Sequence, residues 1–131
     1  MTAPAPPATH RALVVEDFDE LRDLLLAGLR AAGYQADGAG SVAEAVRMRP
    51  ESYDVLVTDM RLGDADGAAL LGIVGANDPT INSRCVLMTG GGFEMWVPPD
   101  VPVLVKPFPI DALVAAVRAV LAKPPAESGT L

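Results

Sequence analysis

The chain has one cysteine, Cys85, in 131 residues, which excludes an internal disulfide. Inside the apolar run Arg84-Cys-Val-Leu-Met88 it reads as a core residue. There is also one histidine, His10, in a leader rich in proline and alanine. By itself it builds neither a metal site nor a catalytic triad. Cations are scarce, ten Lys and Arg against 17 Asp and Glu, and the net charge of −7 argues against general affinity for nucleic acid or an anionic membrane. No apolar run approaches the roughly 20 residues of a membrane span. The opening "MTAPAPPATH" has neither the basic nor the apolar region of a signal peptide. What remains is a globular composition, 50% hydrophobic and 21% charged, expected to form one cytoplasmic domain.

Within that composition, short strand-like runs alternate with helical ones. Residues 1–10 read as a flexible leader and 123–131 as a flexible tail, leaving 11–122 as the folded unit. Ala12–Val15, Asp54–Thr58, Arg84–Met88 and the start of "VPVLVKPF" (101–108) are apolar runs of strand length, and Tyr34–Ala39 is a weaker one. Between them lie an amphipathic helix with leucines at 21, 24, 25 and 29 stopped by Gly33, a helix opened by a capping box at Ser41–Glu44, a short helix over 67–76, and a last helix over 110–122. Runs that are apolar throughout imply a parallel sheet covered on both faces. The fold class is therefore α/β, a doubly wound five-stranded parallel sheet of the flavodoxin-like type. In such sheets functional groups collect beyond the carboxyl ends of the strands.

The residues at those ends are Glu16, Asp17, Asp59, Thr89 and Lys106. Three converging carboxylates repel one another unless a cation neutralises them. Oxygen donors without histidine or cysteine favour a hard ion, and Mg2+ suits an open site of this kind. A lysine can pair with a carboxylate or with phosphoryl oxygens, and a threonine hydroxyl can bond an oxygen of a bound group. A metal, an acidic nucleophile, a lysine and a hydroxyl together are equipment for phosphoryl transfer through an aspartyl phosphate. A phosphatase of the haloacid-dehalogenase type would carry a second aspartate two positions after the nucleophile, where Arg61 stands.

Four motifs in order carry a resemblance: "LVVEDFDELR", "DVLVTDMRLGDADG", "VLMTG" and "LVKPF". Over residues 11–122 the chain is similar to the receiver domains of two-component response regulators, in particular to chemotaxis-regulator-like single-domain receivers. The resemblance implies that Asp59 is the phosphoacceptor, with Thr89 the switch hydroxyl and Lys106 the partner of Asp59 or its phosphate. It implies Mg2+ held by Asp17, Asp59, Glu16 and the Arg61 backbone carbonyl, and a cis Lys106–Pro107 bond. The expected partners are a histidine kinase or histidine phosphotransferase and a downstream protein, with the chain a monomer or weak homodimer, no nucleic acid and no membrane. It would catalyse only its own phosphoryl transfer and dephosphorylation, and act as a stand-alone regulator through protein contacts. Alternatives are a phosphate sink or shuttle, or a constitutive interaction module with a vestigial site.

The sequence departs from this family pattern at Val103, three positions before the lysine, where the resemblance implies an aromatic switch. It departs again at Gly63, where the family often has proline. Only 11 residues, 90–100, join the fourth and fifth strands, so the fold's fourth helix is expected to be short or missing. Phe93 and Trp96 in that segment read as packing or partner contacts.

Overall fold

The computed structural model describes residues 9–90 and 100–122. Chain order is β1 (Arg11–Val15), α1 (Asp19–Ala31), β2 (Gln35–Ala39), α2 (Val42–Arg47), β3 (Val55–Asp59), α3 (Gly67–Asn77), β4 (Cys85–Thr89), β5 (Val103–Val105) and α4 (Ile110–Ala122). The strands form one sheet in the order β2-β1-β3-β4-β5, and every pairing is parallel. This is the doubly wound, flavodoxin-like sheet expected from the alternation of runs. The order reverses between β1 and β3, which opens a crevice beyond their carboxyl ends. Residues 91–99, where a short or missing fourth helix is expected, lie outside the described residues, as do the proposed tail and most of the leader. Four α-helices are present among the described ones.

Each face of the sheet buries its own core. Ala12, Val14, Val55, Val57, Val86 and Met88 point toward α1 and α4, where Leu25, Leu29, Leu113 and Val117 meet them. Leu13, Val15, Leu56 and Leu87 point the other way, toward α2 and α3, where Val42, Leu70 and Val74 close the second layer. Burying each Val, Leu or Met side chain among them stabilises the fold by about 1.5–3 kcal/mol. These two layers account for strands that are apolar at every position.

Local signals act as their chemistry dictates. Gly33 adopts φ +102°, a left-handed conformation that suits glycine. The bonds Gly33 N–H to Arg30 carbonyl and Tyr34 N–H to Leu29 carbonyl then complete the Schellman end of α1. At α2, the Ser41 hydroxyl accepts from Glu44 N–H at 3.0 Å. Glu44 reaches back to Gly40 N–H at 2.7 Å, one residue beyond the usual capping-box partner.

Three details differ from the sequence expectations. Leu24 is 55% exposed and Leu26 is buried, because the buried stripe of α1 centres on 25, 26 and 29. Arg84, read as the start of the fourth strand, instead closes a 3-10 turn at Ile81–Arg84, and β4 begins at Cys85. The fifth strand, read as fully buried, leaves Val103 and Val105 exposed. Among the described residues it is an edge strand paired only with β4; Val103 is in register with Leu87 and Val105 with Thr89, so the two valines share one sheet face.

Candidate functional site

The ends of β1, β3, β4 and β5 bring the predicted residues together. Glu16 follows β1 directly, is 1% exposed, and its N–H donates to the carbonyl of Ala39 in β2 at 3.0 Å. Asp59 is the last residue of β3 and is also buried. Its neighbour in the sheet, β4, holds it in register through Met88, whose carbonyl accepts from Met60 N–H at 2.8 Å. Thr89 closes β4, and its carbonyl accepts the N–H of Lys106 at 2.7 Å. The Lys106–Pro107 bond is cis, as the resemblance implies.

Lys106 bridges the buried acids. Its Nζ donates to Glu16 Oε1 at 2.7 Å and to Asp59 Oδ2 at 2.5 Å. The second oxygen of each acid is held by backbone: Phe18 N–H on Glu16 at 3.1 Å and Arg61 N–H on Asp59 at 3.0 Å. Burial raises the carboxyl pKa of Glu16 above its usual range, although the Lys106 hydrogen bond opposes this. Burial would lower the Lys106 ammonium, but bonds and charge from Asp59 and Glu16 outweigh it and raise the value. Geometry and electrostatics agree that the three groups form one charged unit.

Asp17 is exposed beside this unit. One oxygen each from Glu16, Asp17 and Asp59 lies within 4.8 Å of the others. Such an all-oxygen set, two members buried and one open to solvent, could hold a hard divalent cation with water in its remaining positions. The backbone of Arg61 stands at the same place through its bond to Asp59.

Three supporting residues were not legible as such. Gly67, the first residue of the short helix expected over 67–76, packs against the end of β3 so closely that a Cβ would lie 2.6 Å from the Asp59 carbonyl oxygen. Asp66 caps α3 through Ala69 N–H at 2.7 Å. Asp64 crosses to α2 and accepts from Val42 and Ala43 N–H, both at 3.0 Å. Glycine following an aspartate at a helix start hinted at the first, and nothing in the spacing hinted at the last. Next to Lys106 an apolar groove of about 240 Å³ is lined by Leu21, Leu24, Phe108 and Ile110.

Comparison with known proteins matches this arrangement. Residues 12–118 match the family model of the response regulator receiver domain. The chain is 40% identical over 78 residues to protein-glutamate methylesterase/protein-glutamine glutaminase 6 of Anaeromyxobacter dehalogenans (strain 2CP-C), covering 55% of this chain. It spans 21% of that relative's length. It is 29% identical over 119 residues to the response regulator receiver protein CpdR of Brucella abortus (strain 2308), covering 85% of this chain and 96% of that one. A response regulator receiver protein from Sinorhizobium medicae WSM419 superposes with a TM-score of 0.77 at 26% identity, covering 88% and 97% of the two chains. A Thermotoga maritima response regulator protein in complex with Mg2+ and BeF superposes with a TM-score of 0.73 at 25% identity, covering 86% and 100%. With a family model spanning nearly all of the sheet and the acids, lysine and threonine at its strand ends, the chain belongs to the response regulator receiver family of two-component signalling.

Proposed function

We propose that the chain accepts a phosphoryl group on Asp59 from a histidine kinase or histidine phosphotransferase, with Mg2+, and signals by changing its affinity for a protein partner. The observation that supports this most is the Lys106 ammonium bonded to both Asp59 and Glu16, with Asp17 at the open side. Asp59 is the nucleophile: one carboxylate oxygen forms the bond to phosphorus as the phosphorus–nitrogen bond of a phosphohistidine breaks, and the imidazole leaves with that electron pair. Lys106 and the Arg61 N–H keep the carboxylate oriented, and Lys106 follows charge onto the phosphoryl oxygens. Thr89, at the end of β4 beside β5, supplies a hydroxyl to those oxygens. Glu16, Asp17, Asp59 and the Arg61 carbonyl would hold the ion, whose chemistry is neutralisation of charge on the transferring group.

Donor docking belongs at the groove beside Lys106. A protein that presents phosphohistidine to Asp59 must cover this edge, and an apolar side chain from it fits between Leu24 and Phe108. Leu24→Glu should slow transfer from a phosphotransferase and leave phosphorylation by acetyl phosphate unchanged.

The reading as a whole is tested by intact mass after incubation with Mg2+ and acetyl phosphate. A phosphoryl adduct on the wild-type chain and none on Asp59→Ala is expected; no adduct on either ends the proposal. A second reading, a phosphate sink or shuttle, draws on Val103, an exposed aliphatic residue in the edge strand β5. Rapid back-transfer to the donor with no partner binding that depends on phosphorylation would favour it.

A further inference from the structure

Arg22 is the fourth residue of α1 and is 19% exposed. Its guanidinium spans two acceptors of the β1–α1 segment: Nη1 donates to the Glu16 carbonyl at 2.7 Å and Nη2 to Asp19 Oδ1 at 2.6 Å. We propose that Arg22 is a positioning residue that sets the affinity of the Glu16–Asp17 pair for its divalent cation. The inference rests on the reading of Mg2+ at these acids given above.

The argument starts from the peptide plane. The carbonyl of Glu16 shares a rigid plane with the N and Cα of Asp17. Whatever holds that oxygen therefore fixes where the Asp17 Cα sits, and with it the point from which the carboxylate reaches the ion. On the other side, the Glu16 N–H is tied to Ala39, and the backbone N–H of Arg22 itself is tied to the Phe18 carbonyl at 2.9 Å. The acid-bearing turn is thus clamped at both flanks, with Arg22 closing the middle.

The end of β2 is shaped for this side chain. A Cβ at Gly38 would lie 3.0 Å from the Arg22 stem and 2.9 Å from Leu26, and one at Gly40 would lie 3.2 Å from Nη1. The missing side chains of Gly38 and Gly40 leave the space that the Arg22 side chain occupies. Its planar fork reaches two acceptors at once, which a lysine cannot do with the same geometry. The positive charge would by itself oppose binding of a second cation. Asp19 neutralises it at 2.6 Å, so positioning outweighs repulsion.

The test measures Mg2+ binding directly by calorimetry on the full chain, with thermal unfolding followed for each variant. Arg22→Ala should weaken binding about tenfold, as loss of a residue that orients a metal ligand commonly does, with Arg22→Lys between it and the wild type. Phosphorylation by acetyl phosphate should show the same rise in half-saturating Mg2+, with its maximal rate at saturating Mg2+ changed less than about twofold. An affinity within about twofold of wild type, or tighter, in Arg22→Ala overturns the inference. If Arg22→Ala does not fold, Arg22→Lys decides, and wild-type affinity there overturns it equally. Asp17→Asn separates the two levels: if it leaves Mg2+ affinity unchanged, the functional reading fails and this inference with it. If it abolishes binding while Arg22→Ala does not weaken it, this inference alone fails.

Discussion

The ammonium of Lys106 lies 2.7 Å from Oε1 of Glu16, a residue 90 positions earlier in the chain. The same nitrogen holds Asp59, so one cation offsets two buried carboxylates. Lys106→Met should leave both acids uncompensated. Removing one partner of a buried pair costs about 3–5 kcal/mol, and with the lysine 22% exposed about 2 kcal/mol is the fair expectation after solvent screening. Adding Glu16→Gln should recover part of the loss in denaturant unfolding; no recovery would show that Glu16 and Lys106 act independently.

The same pair sets an alkaline limit. The ammonium pKa is raised in the folded chain. A raised base contributes stability that is complete below the unfolded lysine value of about 10.4 and is lost as pH rises through the folded value. The stability gap between wild type and Lys106→Met should be level near neutral pH and close only in strong alkali. A gap that already closes by neutrality contradicts this.

Gly67 tests the packing behind Asp59. Its missing Cβ would come 2.6 Å from a backbone oxygen of Asp59, and backbone cannot swing aside as a side-chain tip does. Gly67→Ala should destabilise by about 1–3 kcal/mol, the usual cost of overpacking. On the proposed function it should also slow phosphorylation by acetyl phosphate, by displacing Asp59. A Gly67→Ala chain with wild-type stability and rate would contradict the close approach.

Asp64 ties the segment after β3 to the start of α2. The Val42 and Ala43 N–H groups hold its carboxyl below the ordinary aspartate range. A lowered acid contributes stability above the unfolded value of about 3.9, and that contribution fades as pH falls through the folded value. Asp64→Asn should therefore be less stable than wild type at neutral pH and converge with it in acid. Equal melting temperatures at pH 7 would show that the two bonds contribute nothing.

Cys85 reports opening of the core. It is fully buried, and burial pushes its thiol up to about 12, so thiolate is scarce at neutral pH. A thiol reagent at pH 8 should label it only after unfolding, at a rate that rises with denaturant. Immediate stoichiometric labelling of the native chain would show that β4 is accessible.

Much of this architecture is written in local sequence. Parallel strands buried on both faces must be apolar throughout and must change to polar residues where they meet solvent. Ala12–Val15 followed by Glu16-Asp17, and Val55–Thr58 followed by Asp59, therefore mark both the strands and the crevice at their ends. Gly33 and Ser41 punctuate helices through bonds that span only a few residues, and their roles are legible for that reason. Leu24 and Val105 misled because an apolar residue on an amphipathic helix or strand does not declare what covers it. Leu24 faces the groove beside Lys106, and Val105 belongs to an edge strand.

The sequence by itself thus determined the sheet, the order of its motifs and the five side chains at its carboxyl edge, because these follow from periodicity and from resemblance in short segments. Only the tertiary structure decided that Lys106 serves Glu16 as well as Asp59, that Asp64 caps a helix 21 and 22 residues before it, and that Arg22 occupies the space left by two glycines. Those facts depend on where distant segments meet. Directional bonds over about 3 Å are fixed by the packing of whole elements, which no local pattern of residues records.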